Sequence, residues 1–394
     1  MPDASMTRIA VASSSPLRLL DGVRVVEWAE GISAPFCARI LADLGADVVK
    51  LERPLTGDPM RAAGPFLPGD NTSNNSALFA YLNAGKRSAT LGVSAAPPGR
   101  DLDNAGLLVE SHGAVDPEAL QREYPGLIVL SVTPFGRTGP LRGTPSSDLT
   151  LQHRAGWAHA MARPVDEPEA LAPRGGADHE APLAVGLAAA MAAIWGLLVV
   201  QAGGAPPCID LASYDFYAQL GFADLADWSA GERAFGRLRV RRDGTEAAGG
   251  LTWILPCATG WVMVSPREQH QWDKWIALLG SPSWSADAAL CGTRVVRRVN
   301  FFPLQEKMAA WSRQYPPAEV ARRAQEVGVA CFPVSTPGEL LENAQLLHRG
   351  FFDRLRTASG DVPMPGLPFR MAASGGEALA RERALRSPTL GETS

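Results

Sequence analysis

Five basic residues crowd into three short segments near the start of the chain. Lys50 and Arg53 lie in VVKLERP, Arg61 in GDPMR, and Lys86 and Arg87 in AGKRS. Arginine offers a planar fork and lysine a point charge, and both suit phosphate. A lone Lys–Arg pair reads equally as solvated surface charge. Further on, Asp178 and Glu180 flank His179 just ahead of an Ala-rich apolar run. Carboxylates there could attack a carbonyl or move protons. They also suit the first turn of a solvated helix, where the dipole favours acids.

These residues must be held by strands and helices. Residues 23–27 (VRVVE) predict a strand, 31–35 (GISAP) a turn, 36–44 a helix stopped by Gly45, and 47–51 (DVVKL) a second strand. That order is a βαβ unit, hence a parallel sheet with helices on its faces. Residues 127–132 (LIVLSV) and 208–212 (CIDLA) predict further strands of the same sheet. Loops beyond the carboxyl ends of such strands are where ligands bind, which places Lys50 and Arg53 near a site. After residue 225 the composition changes. WIL and WVMV around PCATG predict a β-hairpin, followed by helices near 269–279, 303–314 and 317–327 and a strand near 330–334. From about residue 350 the chain reads as loop-rich, with PMPGLP limiting regular structure.

Composition narrows the function. The 394 residues carry 37 Lys and Arg against 41 Asp and Glu, a net charge of −4. No basic excess speaks for a nucleic-acid partner and no polybasic stretch for a membrane surface. Five scattered cysteines, with no CxxC or Cys/His cluster, predict neither a metal site nor a disulfide framework and fit a reducing cytoplasm. Residues 181–200 reach membrane-spanning length. Their Ala and Gly content and lack of basic flanks instead predict a buried helix of a soluble domain.

The segments LADLGADVVKLERP, GDPMR, NAGKRS, SVTPFGRTGP, GWVMV, NAQLLHRGFFD and PMPGLPFR follow one another across nearly the whole chain. In that order they resemble the family III CoA-transferases, the group of formyl-CoA transferase, the carnitine-type CoA-transferases and α-methylacyl-CoA racemase. The resemblance implies an α/β protein with a Rossmann-like parallel-sheet large domain and a smaller α/β domain, assembled as an interlocked homodimer. The expected division is 1–224 for the first part of the large domain, 225–335 for the small one, and 336–394 for a tail returning to the large one. It also implies CoA or acyl-CoA as substrate, with no tightly bound cofactor. Lys50, Arg53, Arg61, Lys86 and Arg87 would hold the phosphates, and a lid containing Gly249 and Gly250 would close over the reacting centre. A plain hairpin turn before Trp253 explains those two glycines as well.

The chain departs from the family where the chemistry is done. The family's nucleophilic Asp stands four residues before a Gly, and with Gly186 at the usual spacing before Ile209–Asp210–Leu211 that place holds Pro182. Proline has no nucleophile, so the usual aspartyl-CoA route is not expected there. Asp178 or Glu180 could take its place. The racemase pair of His and Asp falls on Ser147 and Asp148, leaving His153 as the nearest imidazole. Ser111 and His112 stand where Asn and an aromatic are usual, the following Arg is deleted, and Ile32 replaces a Gln. The expectation is a CoA-transferase-like enzyme of altered chemistry. The alternatives are a racemase or isomerase, a lyase, a specialised acyltransferase, or an inactive acyl-CoA-binding or scaffold protein.

Overall fold

The computed structural model describes residues 19–67, 75–91, 99–161, 172–176, 179–230, 251–357, 360–369 and 384–386. The first unit gathers the described residues of Met1–Leu151, Ala177–Phe216 and Ala344–Ser394. Its centre is a sheet of six parallel strands: β1 (Arg24–Trp28), β2 (Asp47–Glu52), β3 (Arg87–Thr90), β4 (Leu107–Glu110), β5 (Ile128–Thr133) and β6 (Cys208–Ala212). They lie in the order β3-β2-β1-β4-β5-β6. The predicted strands 23–27, 47–51, 127–132 and 208–212 all appear, shifted by a residue at most ends. The order reverses between β1 and β4, the topological switch point of a doubly wound sheet.

Helices cover both faces. On one, Val26, Trp28, Val49, Leu51, Leu108 and Val129 form an apolar core. On the other lie α1 (Ser33–Asp43) and the long α6 (Glu180–Gln201). Between them in the chain come α2 (Ala77–Asn83), α3 (Pro117–Glu123) and α4 (Asp148–Arg154), and then α5 (Trp157–Met161), which belongs to the second unit. The closeness of α1 and α6 depends on Gly186, where an added Cβ would sit 2.6 Å from the Ser33 carbonyl oxygen. Gly196 does the same against the sheet, 3.2 Å from Ile128 and Ile209 side chains.

By length and composition α6 could cross a membrane. In the fold one of its faces packs inward, and Leu187, Met191, Trp195 and Leu198 on the other are exposed. The expectation of a buried helix holds for the inward face and is corrected on the other.

The tail is also more regular than expected. β10 (Phe352–Thr357) pairs antiparallel with β11 (Gly360–Pro365) and parallel with β12 (Ala384–Arg386). β11 accommodates Pro363 and Pro365 because it is an edge strand. Leu355 and Met364 pack on Ala80 of α2 and on Ala84, which caps its carboxyl end, so the tail joins the first unit.

The second unit comprises the described residues of Gln152–Gly176 and Tyr217–Asn343. Its cuts lie at 216/217 and 343/344, against the expected 224/225 and 335/336, and it takes in the 152–176 segment as well. The predicted hairpin is β7 (Trp253–Pro256) with β8 (Trp261–Ser265), extended by β9 (Ala330–Pro333). Helices Gln269–Leu278, Phe301–Ser312 and Pro317–Glu326 bury Trp253, Val262, Val264, Trp272, Trp275 and Met308 with it. Trp253 stacks on Phe301 at 5.5 Å and donates its indole N–H to the Phe301 carbonyl.

Candidate functional site at the carboxyl edge of the sheet

The basic residues of the three early motifs go to different places. Lys50 is a cross-strand neighbour of Glu27 in the β1–β2 register and is fully buried. Its ammonium lies 2.7 Å from Glu27 Oε1, 2.8 Å from Asp58 Oδ2 and 2.8 Å from the Ala29 carbonyl oxygen. Lys86 comes to the same carboxylate from the turn after α2. It donates to Glu27 Oε2 at 2.5 Å, to the Pro35 carbonyl at 2.8 Å and to Asn83 Oδ1 at 2.8 Å. Burial alone would depress Lys50, but Glu27 and Asp58 more than reverse it and hold its pKa above the ordinary value. For Lys86 burial wins over the pull of Glu27, and its pKa is brought down to about 8.

Arg61 is equally committed. It forks onto Glu52, with 2.7 Å from each of Nε and Nη2, and lies over the Phe79 ring. Ser88 and the Asp58 backbone N–H also donate to Glu52. Burial would raise Glu52, but these hydrogen bonds hold it below the usual carboxylate range. Gly57 makes the turn possible: its φ is 67°, and a Cβ there would meet Arg61 Cδ at 2.9 Å. Lys50, Arg61 and Lys86, expected as phosphate contacts, therefore face inward. A buried ammonium or guanidinium needs a carboxylate beside it, and each has one. Arg87 is exposed but points along β3 to Asp47, the first residue of β2, at 2.6 Å. That is the amino edge of the sheet, away from the carboxyl ends.

Arg53 alone of the five stands at the carboxyl edge. Its side chain is 57% exposed and forks onto Glu30, with Nε–Oε1 2.5 Å and Nη2–Oε2 2.6 Å. Glu30 follows β1, and its backbone N–H donates to Ser111 Oγ, just past β4, at 3.0 Å. That bond spans the switch point. His112, next to Ser111, sets its ring 4.5 Å from Trp28. Burial, aided by the nearby charges of Arg53 and Lys50, lowers the His112 pKa against the opposing pull of Glu30 and Glu110.

Beside His112 opens a cavity of about 250 Å³, lined among others by Thr133, Phe135, Arg137 and Arg142. Glu110, fully buried at the end of β4, accepts the backbone N–H groups of His112 and Gly113, two of the lining residues, on one oxygen. Arg137 is fixed from three sides. It donates to Ser131 Oγ and the Val115 carbonyl through its side chain, and its backbone N–H to the Asp210 carboxylate at 2.9 Å. Glu110 Oε1 makes no hydrogen bond but faces Arg137 Nη1 at 3.6 Å as an ion pair, and Thr133 Oγ1, on a lining residue, is buried without a hydrogen-bond partner. Glu30, Arg137 and Arg142 were not singled out from sequence. The rule that ligands meet an open sheet beyond its strand ends could have found them.

The catalytic candidates are less gathered. Glu180 is exposed at the first position of α6, after His179 at a left-handed φ of 67°. Pro182 is buried in the same turn. Asp148 opens α4, and His153 is exposed near its end. Asp178, Gly249 and Gly250 lie outside the described residues. Among the described residues no group of three or more His, Cys, Asp or Glu is placed to hold a metal ion.

The comparisons with known proteins agree with this architecture. The chain is similar to the BbsE subunit of succinyl-CoA:(R)-benzylsuccinate CoA-transferase from Thauera aromatica, 30% identical over 88% of this chain and 86% of the relative. It is similar to the succinate–glutarate CoA-transferase of Agrobacterium fabrum, 26% identical over 95% and 93%. The crystal structure of a CAIB/BAIF family protein from Brucella suis matches with a TM-score of 0.77 at 25% identity, over 96% of this chain and 97% of that one. The family model for CoA-transferase family III matches residues 20–394, and the chain belongs to that family.

Proposed function

We propose that this protein is a CoA-transferase that seats an acyl-CoA along the carboxyl edge of the large sheet. Arg53 contacts a phosphate, and the cavity beside His112 takes part of the nucleotide. The observation that carries the reading is this gathering at the switch point: an exposed guanidinium next to a cavity rimmed by Arg142. The relatives' printed names make succinyl-CoA the first donor to test.

Residue 182 is not the acyl carrier in this proposal. The carrier is a carboxylate slightly earlier in the sequence, Asp178 or Glu180. Its oxygen attacks the thioester carbonyl, the C–S bond breaks, and CoA leaves as thiolate, giving an acyl anhydride. The thiolate then attacks the enzyme's own carbonyl, releases the acyl group as a free carboxylate, and forms an enzyme–CoA thioester. An acceptor carboxylate reverses the sequence. Glu180 is helped by its place in the first turn of α6, where the helix dipole favours the anion.

The test is incubation with succinyl-CoA, trapping with hydroxylamine or borohydride, and mapping by mass spectrometry. An adduct on residue 178 or 180 is expected. A second reading is favoured by the buried Pro182: a non-catalytic partner of an active paralogue, in keeping with the subunit status in the Thauera relative's name. No adduct and no turnover with any acyl-CoA would select it. We also propose a homodimer. The exposed Leu187, Met191, Trp195 and Leu198 stripe on α6 supports an apolar contact with a second copy, and light scattering of a stable monomer would refute it.

A further inference from the structure

We propose that Glu30 is an electrostatic latch on Arg53 and sets how strongly this edge takes a phosphate. The inference rests on the reading of Arg53 as a phosphate contact. Glu30 occupies the Nε–Nη2 edge of the guanidinium with both carboxylate oxygens. A phosphate engages arginine through the same two-nitrogen geometry and seeks the same charge. Carboxylate and phosphate therefore compete for one group.

The latch is built rather than incidental. The backbone N–H of Glu30 is tied to Ser111 Oγ across the switch point, so the carboxylate is held over Arg53 from a fixed base. Ser111 is one of the residues that departs from the family pattern, and here it anchors the competing acid. The loop carrying Arg53 is held just as firmly from below, through Lys50–Asp58 and the Glu52–Arg61 fork. Neither partner drifts away, and the ligand must share or displace Glu30. Glu30 is thus a specificity-determining residue that acts through Arg53.

The experiment titrates CoA, and pantetheine as a phosphate-free control, into wild-type protein, Glu30→Gln and Glu30→Asp by calorimetry at two salt concentrations. Glu30→Gln is expected to bind CoA about three- to fivefold tighter, the worth of one exposed ion pair. Its affinity should also fall more steeply with salt, because one more uncompensated charge meets the ligand. Glu30→Asp, which keeps the charge but shortens its reach, should fall in between. Pantetheine affinity should not move. Glu30→Gln that binds CoA equally well or more weakly, with wild type binding normally, overturns the latch and makes Glu30 a support for Arg53. Binding seen only in Glu30→Gln supports it strongly. If neither protein binds CoA, the reading of Arg53 falls, and the latch with it.

Discussion

The charges beneath α1 and those at the carboxyl edge arise from the same short stretches of chain, yet they obey different physics. Glu27, Lys50 and Lys86 are each at most 5% exposed, and every ammonium meets a carboxylate. Glu30 and Arg53 make an equally short pair, but at 24% and 57% side-chain exposure. Buried ions cannot be left alone, so the inner set is a structural commitment that holds the loops after β2 and α2 in place. An exposed pair is worth little by itself and can be exchanged for a ligand. Sequence motifs rich in Lys and Arg therefore carry two jobs at once. Here the greater part of the basic charge builds the platform, and one guanidinium is presented on it.

The comparison is most severely tested at Glu27. Glu27→Gln leaves two buried ammonium groups with one fewer carboxylate and should cost about 3–5 kcal/mol of unfolding free energy. Urea denaturation checks this, and a loss below about 1 kcal/mol would mean that the lattice is not structural.

Next is the pH response of Lys86. Its pKa in the fold is about 8, below the ordinary 10.5, so the unfolded chain binds that proton more tightly. Between those values the unfolded state carries more protons, and this group's contribution to stability rises with pH. Its destabilising effect is fully present below about pH 8. The difference between wild-type and Lys86→Met stability should therefore change with pH in that window and be flat below it. No such pH dependence between the two proteins would contradict the assignment.

A smaller effect is expected at the edge itself. Leu55, two residues after Arg53, has a φ of 66° and is 97% exposed. A left-handed leucine costs about 1–2 kcal/mol relative to glycine's freedom, offset in part by glycine's entropy in the unfolded chain. Leu55→Gly should raise stability by roughly 0.5–1 kcal/mol. A lower melting temperature would show that the exposed leucine has a packing role.

Much of the fold was legible. Alternating and fully apolar runs marked β1, β2, β5 and β6, and the WIL–PCATG–WVMV pattern marked the hairpin of the second unit. β3 and β4 were not read as strands, because four residues of RSAT and LLVE carry too little pattern. The tail's strands were hidden by Pro363 and Pro365, which only an edge position tolerates. The site was less legible for a geometric reason. Lys50 and Arg53 are three residues apart, but one lies inside β2 opposite Glu27 and the other beyond the strand end. Strand register, not residue type, decides which of them meets solvent. A clue was present: a lysine within an otherwise buried strand, DVVKLE, calls for an acid on its neighbour, and VRVVE supplies it. The departures at Ser111 and His112 read as losses in sequence. In space Ser111 holds Glu30 and His112 packs on Trp28.

The central claim is that Arg53, and not the other exposed motif arginine, receives the phosphate. Calorimetric titration of CoA into wild type, Arg53→Met and Arg87→Met tests it directly, with melting curves confirming that all three are folded. The account predicts a loss of affinity of about tenfold for Arg53→Met, the low end for a charged hydrogen bond because the site is open to water. It predicts no change for Arg87→Met, which faces Asp47 at the opposite edge. Equal losses in both variants, or a loss in Arg87→Met alone, would contradict it.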